Sequence, residues 1–185
     1  MTSSRPGDLL PIARPLFAQA VGDLRNLLDQ LGPPHLEAVA ALAADILRAW
    51  SAGGKLLICG NGGSAADSQH IAAELVGRFL AERPGYPALA LTVNSSILTA
   101  VANDYGFEEI FARQVQALGT AQDVLLVMST SGNSPNCLRA VEAARAHRMR
   151  VHAFLGGTGG RLLPLVDGAL VVPSTAGASS VPLFV

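Results

Sequence analysis

A glycine turn followed by a histidine and a glutamate is where this chain places groups capable of chemistry. The stretch runs Cys59-Gly60-Asn61-Gly62-Gly63-Ser64-Ala65-Ala66-Asp67-Ser68-Gln69-His70 and continues to Glu74 and Arg78. The run Leu56 to Cys59 leads into the turn and a helical pattern leaves it, so backbone N–H groups are expected to point at an anion, as in a phosphate cradle. His70 and Glu74, four apart on one helical face, bring an imidazole and a carboxylate to the same mouth. A carboxylate in that place suits a general base, and an imidazole suits a metal ligand or a polarising group. Without the glycine turn the same pair would read as a solvated surface pair. As a metal motif it supplies two ligands, where tetrahedral zinc takes three or four.

A second loop has the same character. Ser129-Thr130-Ser131-Gly132-Asn133-Ser134 follows the apolar run Val124 to Met128, and Pro135, a favoured early-helix residue, comes next. Hydroxyls at a helix N-terminus, with a glycine allowing close approach, suit the oxygens of a phosphate monoester; the plainer reading is a Ser-rich turn with Ser134 as N-cap. Two such loops on adjacent strand-to-helix connections favour phosphate. Asn103 and Asp104, in Asn103-Asp104-Tyr105-Gly106-Phe107, either reach sugar hydroxyls or form a cap and turn. Arg78 pairs with phosphate or solvates its helix. Gly156-Gly157-Thr158-Gly159-Gly160 resembles a phosphate loop but lacks a catalytic side chain beside it, and reads as structural. Cys59 and Cys137 do not form a metal-type pair and read as small core residues.

Positioning these loops requires an α/β architecture. Leu16, Ala20, Leu24, Leu27, Leu28 and Leu31 recur at helical spacing up to Gly32-Pro33-Pro34, and a second helical pattern runs from about Leu36 to Trp50. After this hairpin, strands are expected at Lys55 to Cys59, Ala88 to Val93, Asp123 to Ser129, Arg150 to Leu155 and Ala169 to Val172. Helical segments between and after them are expected around Ser64 to Leu80, Ser95 to Asn103, Phe107 to Leu118, Pro135 to Ala146 and Gly160 to Val166. Near-continuous apolar strands alternating with helices imply a doubly wound parallel five-stranded sheet, a Rossmann-like three-layer sandwich, with ligands at the carboxyl ends of the strands. One domain is expected across 1–185, with the hairpin at about 15–52 and the βα core at about 55–172.

Composition narrows the partners. The 185 residues are 50% hydrophobic with a formal net charge of -1, enough for one buried core and without a Lys/Arg run for nucleic acid. No apolar run approaches membrane-spanning length and Met1 to Asp8 lacks a secretory pattern, so a cytoplasmic protein acting on a small polar metabolite is expected. The apolar stripe of the hairpin is wider than one sheet face needs, which points to a homo-oligomer.

Taken together, the run Cys59 to Phe79, the loop Arg83-Pro84-Gly85-Tyr86-Pro87-Ala88, Asn103 to Phe107 and Ser129 to Ser134 resemble the sedoheptulose-7-phosphate isomerases, or phosphoheptose isomerases, of the SIS-domain superfamily. The likeness spans roughly residues 15–175 with the motifs in order. It implies a homotetramer built on the N-terminal helices, with active sites between subunits and zinc (Zn2+) in many members. It further implies interconversion of sedoheptulose 7-phosphate and a manno-heptose 7-phosphate in bacterial heptose biosynthesis. Carried onto this chain, it assigns phosphosugar binding to Asn61, Gly62, Gly63, Ser64, Ser129, Thr130, Ser131 and Ser134, with help from Asn103 and Asp104. It makes His70 and Glu74 metal ligands, and Glu74 the group that shuttles a proton between C1 and C2.

The family pattern continues past the last strand into a helix with Gln-Glu and a later His, the remaining metal ligands and a catalytic acid. Here Val172-Pro173-Ser174-Thr175 runs into Ala176 to Val185 without them, so an incomplete metal site is expected. The competing reading is a non-catalytic SIS-domain regulator that binds the replication initiator. Such relatives are expected to lack a carboxylate at position 74, which this chain keeps. A sugar-phosphate-sensing transcription factor would need a DNA-binding region, for which the hairpin is too short and insufficiently basic.

Overall fold

Alternate side chains of the central strands feed two separate cores, and that alternation builds the molecule. The computed structural model describes residues 6–173. After a hairpin of α1 (Pro6–Leu28) and α2 (Pro33–Ser51) come β1 (Leu56–Gly60), α3 (Gly63–Val76), β2 (Ala88–Ala90), α4 (Ser95–Tyr105) and α5 (Ala112–Leu118). They are followed by β3 (Val124–Ser129), α6 (Pro135–Ala146), β4 (Arg150–Gly156) and β5 (Gly168–Val172). Leu57, Cys59, Leu125 and Val127 face one core with α5 and α6, against which Leu98 of α4 also packs. Leu56, Ile58, Leu126 and Met128 face the other with α2 and α3. A parallel sheet must be covered on both faces, and here it is.

Every strand pair is parallel and the order is β2-β1-β3-β4-β5, the expected doubly wound sheet. The chain leaves β1 toward β2 on one side and returns to β3 on the other, so a crevice opens where the connections from the carboxyl ends of β1 and β3 run to opposite faces of the sheet. Gly60 pairs with Met128 at that point. Both suspected phosphate loops therefore start at the topological switch.

Several boundaries differ from expectation. Helix α1 begins at Pro6 and contains Pro11 and Pro15; residues 7–20 are exposed, so water can satisfy the carbonyls that the prolines leave unpaired. Helix α3 ends at Val76 instead of near Leu80, because Arg83 and the Tyr86 N–H take the carbonyls of its last turn. Only the 3-10 turn Leu163–Leu165 forms where a helix was expected near 160–166, since Gly157, Gly159 and Gly160 adopt positive φ. The expected helix 107–118 divides into a 3-10 turn, Phe107–Glu109, and α5. Strand β2 stops at Ala90, and the residues from Ser174 onward, where the family helix was expected to be missing, lie outside the described residues.

A buried charge cluster joins the hairpin to the sheet. His152 of β4 and Asp45 of α2 are 3% and 6% exposed, and His152 Nε2 lies 2.7 Å from Asp45 Oδ2. Arg48 also bonds Asp45, and Arg150 Nε is 3.6 Å away. Burial opposes ionisation of Asp45, but the hydrogen bonds from His152 and Arg48 and the Arg150 charge outweigh it, holding the carboxyl below its ordinary 3.8. Because the folded value lies below the unfolded one, this stabilisation is complete above about pH 4 and is lost as pH falls through the lower folded value. Asp45→Asn should lower stability at pH 7 by about 1–3 kcal/mol and flatten the acid limb of the profile. Urea melts from pH 7 to 3 measure both; an acid limb as steep as that of the unmutated chain would remove Asp45 from the account.

Candidate functional site

Two helix N-termini at the sheet switch are left uncapped by their own side chains. The first turn of any helix carries N–H groups without intrahelical partners. At α4 the Asn94 side chain accepts from Ile97 N at 3.0 Å. At α3 the N-cap is Gly62, which has no side chain and adopts φ 57°. At α6 Ser134 occupies the N-cap, yet its Oγ lies 3.3 Å from Ser129 Oγ and caps no backbone N–H. Ser134 is thus not the ordinary capping serine that the plainer reading required. Gly62, Gly63, Thr130 and Ser131 are exposed at these turns, while Ser64 and Ser129 are buried beneath them.

The Ser-rich loop has a firm backing. Gly156 N donates to Thr130 O at 3.1 Å, Leu162 N to Gly132 O at 3.0 Å, and Arg161 N to Asn133 Oδ1 at 3.1 Å. Asn133 N in turn donates to Ser131 Oγ at 3.2 Å. The segment from Gly156 to Leu162 therefore supports the Ser-rich loop from behind, in agreement with the structural reading of its glycines.

The first cradle is tied to the second. Asn61 and Asn136 exchange amide hydrogen bonds of 2.9 and 2.8 Å, so the Asn61 side chain is occupied by a protein partner. Just below, Cys59 and Cys137 lie in one core. The Cys137 thiol beside it, and then burial, push the Cys59 thiol well above its ordinary value, so it is a neutral packing group and a poor nucleophile. The pair separated so widely in sequence is a contact in space.

His70 and Glu74 lie further along α3, about 10 and 16 Å from Gly63 at 1.5 Å rise per residue. Helical side chains lean toward the N-terminus, so both lean back toward the cradle. His70 Nε2 stands 3.9 Å from Glu74 Oε1, with side-chain exposures of 74% and 34%. This is a loose, open pair. Zinc takes three or four protein ligands, and among the described residues no group of three or more His, Cys, Asp or Glu is placed to hold a metal. His70 and Glu74 by themselves do not fit a zinc centre.

Two neighbours of this pair, quoted within the sequence motifs, were given no role there. Asp67, one turn before His70 and 8% exposed, lies with His70 and Glu74 on one helical face; burial raises its carboxyl above the ordinary value, with His70 opposing. Its spacing of three from His70 was the available signal. Arg83 donates to Glu74 O at 2.7 Å and Leu75 O at 2.9 Å, and stacks 4.4 Å over Tyr86, which stacks in turn on Trp50. It closes the turn that carries Glu74, and no local pattern announces this. Asn103 and Asp104 are exposed in the last turn of α4, with Asn103 Nδ2 donating to Asp104 Oδ1 at 2.8 Å. No hydrogen bond among the described residues joins them to either cradle. Arg78 pairs with Glu82 at 3.4 Å on the surface, in line with a solvated helix end.

Comparison with known proteins gives a consistent picture. The SIS domain family model matches residues 21–156. A phosphoheptose isomerase of Solidesulfovibrio magneticus is 57% identical over 140 residues, which are 76% of this chain and 68% of that protein. A phosphoheptose isomerase of Rhodospirillum rubrum is 50% identical over 159 residues, 86% of this chain and 82% of that one. The solved phosphoheptose isomerase of Neisseria gonorrhoeae superposes with a TM-score of 0.78 at 41% identity, covering 92% of this chain and 89% of that structure.

Proposed function

Because the chain belongs to the SIS-domain family and, within it, to the phosphoheptose isomerases, we propose that it interconverts sedoheptulose 7-phosphate and D-glycero-D-manno-heptose 7-phosphate. It is a sugar-phosphate isomerase with a role in heptose biosynthesis. The observation that carries the finer reading is the pair of uncapped helix N-termini at one sheet switch, with a carboxylate further along one of the two helices. Backbone N–H groups of Gly62, Gly63 and Ser64, with the hydroxyls of Ser129, Thr130, Ser131 and Ser134, hold the phosphate. Asn61 lines the cradle through its backbone, and Asn103 and Asp104 reach sugar hydroxyls.

Glu74 takes the C1 proton of the ketose, its carboxyl exchanges with water at the enediol stage, and it delivers a proton to C2, while the carbonyl oxygen at C2 gains a proton and the C1 hydroxyl loses one. The intermediate is the enediol. His70, beside Glu74, polarises the oxygen on which charge develops. A phosphate remote from C1 and C2 orients the chain without sharing in the charge change, so its contacts bind ground and transition states alike. Exposed apolar groups on α1, Leu16 at 63% and Phe17 at 73%, support a homotetramer built on the N-terminal helices. Among the described residues no helix is long and apolar enough to cross a membrane.

Sedoheptulose 7-phosphate incubated with the chain in D2O should yield an aldoheptose 7-phosphate carrying deuterium at C2, followed by NMR. Binding of the ketose with neither exchange nor aldose would reject catalysis and favour the regulator reading.

A further inference from the structure

The Asn61–Asn136 pair crosses the crevice between the two cradles. Asn61 is the first residue after β1, and Asn136 lies in the first turn of α6, 75 positions later in the chain. Each amide donates to the other, at 2.9 and 2.8 Å, and Asn136 Oδ1 also accepts the Cys137 N–H at 3.0 Å. Asn136 is 2% exposed. Two bonds between planar amides fix orientation as well as distance, which a single bond would not. If Asn61 turned away, Asn136 would keep a buried amide N–H without its partner, so the pair forms and breaks as a unit.

We propose that Asn136 is a positioning residue for phosphosugar binding: through the reciprocal amide pair with Asn61 it locks the loop after β1 against the start of α6, so that two phosphate loops act as one site. The inference rests on the reading of both loops as phosphate-binding. A ligand held by two cradles gains from the second only if their spacing is set before it arrives; otherwise binding must supply the ordering. Asn61 and Asn136 set that spacing on the ligand side of the sheet, beyond the last strand pair Gly60–Met128, where the two loops part toward opposite faces. Neither side chain needs to touch the sugar. Asn136 also sits where an Asn would pass unnoticed, directly after Pro135 in an ordinary helix opening.

The test is calorimetric titration of sedoheptulose 7-phosphate into the full chain and into Asn61→Ala, Asn136→Ala, the double variant and Ser131→Ala. Each Asn single should weaken binding about tenfold, as expected for loss of a buried reciprocal hydrogen-bonded pair. The double should be no weaker than either single, and in turnover assays KM should rise while kcat holds. Single variants that melt earlier yet bind as tightly as the unmutated chain would reduce Asn136 to a structural role and overturn the proposal. Additive losses in the double would overturn it too. If Ser131→Ala weakens binding and the Asn singles do not, the positioning role fails while the phosphate reading stands; if Ser131→Ala also binds normally, the phosphate reading fails and takes the proposal with it. Should Asn136→Ala not fold, Asn61→Ala breaks the same pair from its half-exposed side and carries the same expectation.

Discussion

Glu74→Gln should leave phosphosugar binding in place and slow isomerisation by about 10²–10⁴-fold, the usual contribution of a positioned general base. The amide matches the carboxylate in size, so packing on α3 is preserved, but it cannot take a proton from carbon at neutral pH. The turn itself should hold. Arg83 and the Tyr86 N–H remain on the carbonyls of Glu74 and Leu75, independently of the side chain at 74. Titration with sedoheptulose 7-phosphate and the rate of solvent deuterium entry at C2 separate the two effects. A variant that binds and exchanges at the rate of the unmutated chain would transfer the proton to another group, with His70, 3.9 Å away, the first to examine.

Gly132→Ala should destabilise the chain by about 2–4 kcal/mol and abolish measurable phosphosugar affinity in whatever remains folded. Gly132 adopts φ 63°, a region costly for a residue with a side chain, and an added Cβ would collide with the Gly159 carbonyl. The collision is with backbone, so no rotamer change relieves it. Either the Ser-rich loop or its glycine backing must move, and the bonds Leu162 N to Gly132 O and Gly156 N to Thr130 O stretch as it does. Gly63→Ala is the contrast: nothing lies within 4 Å of its added Cβ, and it should melt within about 0.5 kcal/mol of the unmutated chain. Denaturant melts of both variants, with titration of the folded fraction, decide the matter. Equal stability of Gly132→Ala and Gly63→Ala would show that the loop is less tightly backed than the hydrogen bonds suggest.

Much of the architecture was legible because it is encoded over a few residues at a time. Apolar runs such as Val124 to Met128 mark strands buried on both faces, glycine turns mark strand ends, and the spacing of His70 and Glu74 puts them on one helical face whatever surrounds the helix. The helix expected near 160–166 failed for a local reason too. Glycines at 157, 159 and 160 take positive φ, which helical periodicity in the flanking leucines does not reveal. The end of α3 failed for a distant one, since Arg83 and Tyr86 come back to cap it from beyond the turn.

The sequence by itself determined the parallel α/β order, the two candidate phosphate loops at strand ends, and the imidazole and carboxylate on α3. Each depends on backbone periodicity or turn chemistry, which act between neighbours and survive without knowledge of the rest of the chain. Only the tertiary structure decided how these parts are held together. Asn61 meets Asn136 across 75 positions and Asp45 meets His152 across 107, while the Ser134 hydroxyl turns to Ser129 and leaves its helix uncapped. Such pairings follow from strand order and helix docking: a buried polar group must find whichever partner the packed sheet brings within about 3 Å, and sequence distance places no limit on which one that is.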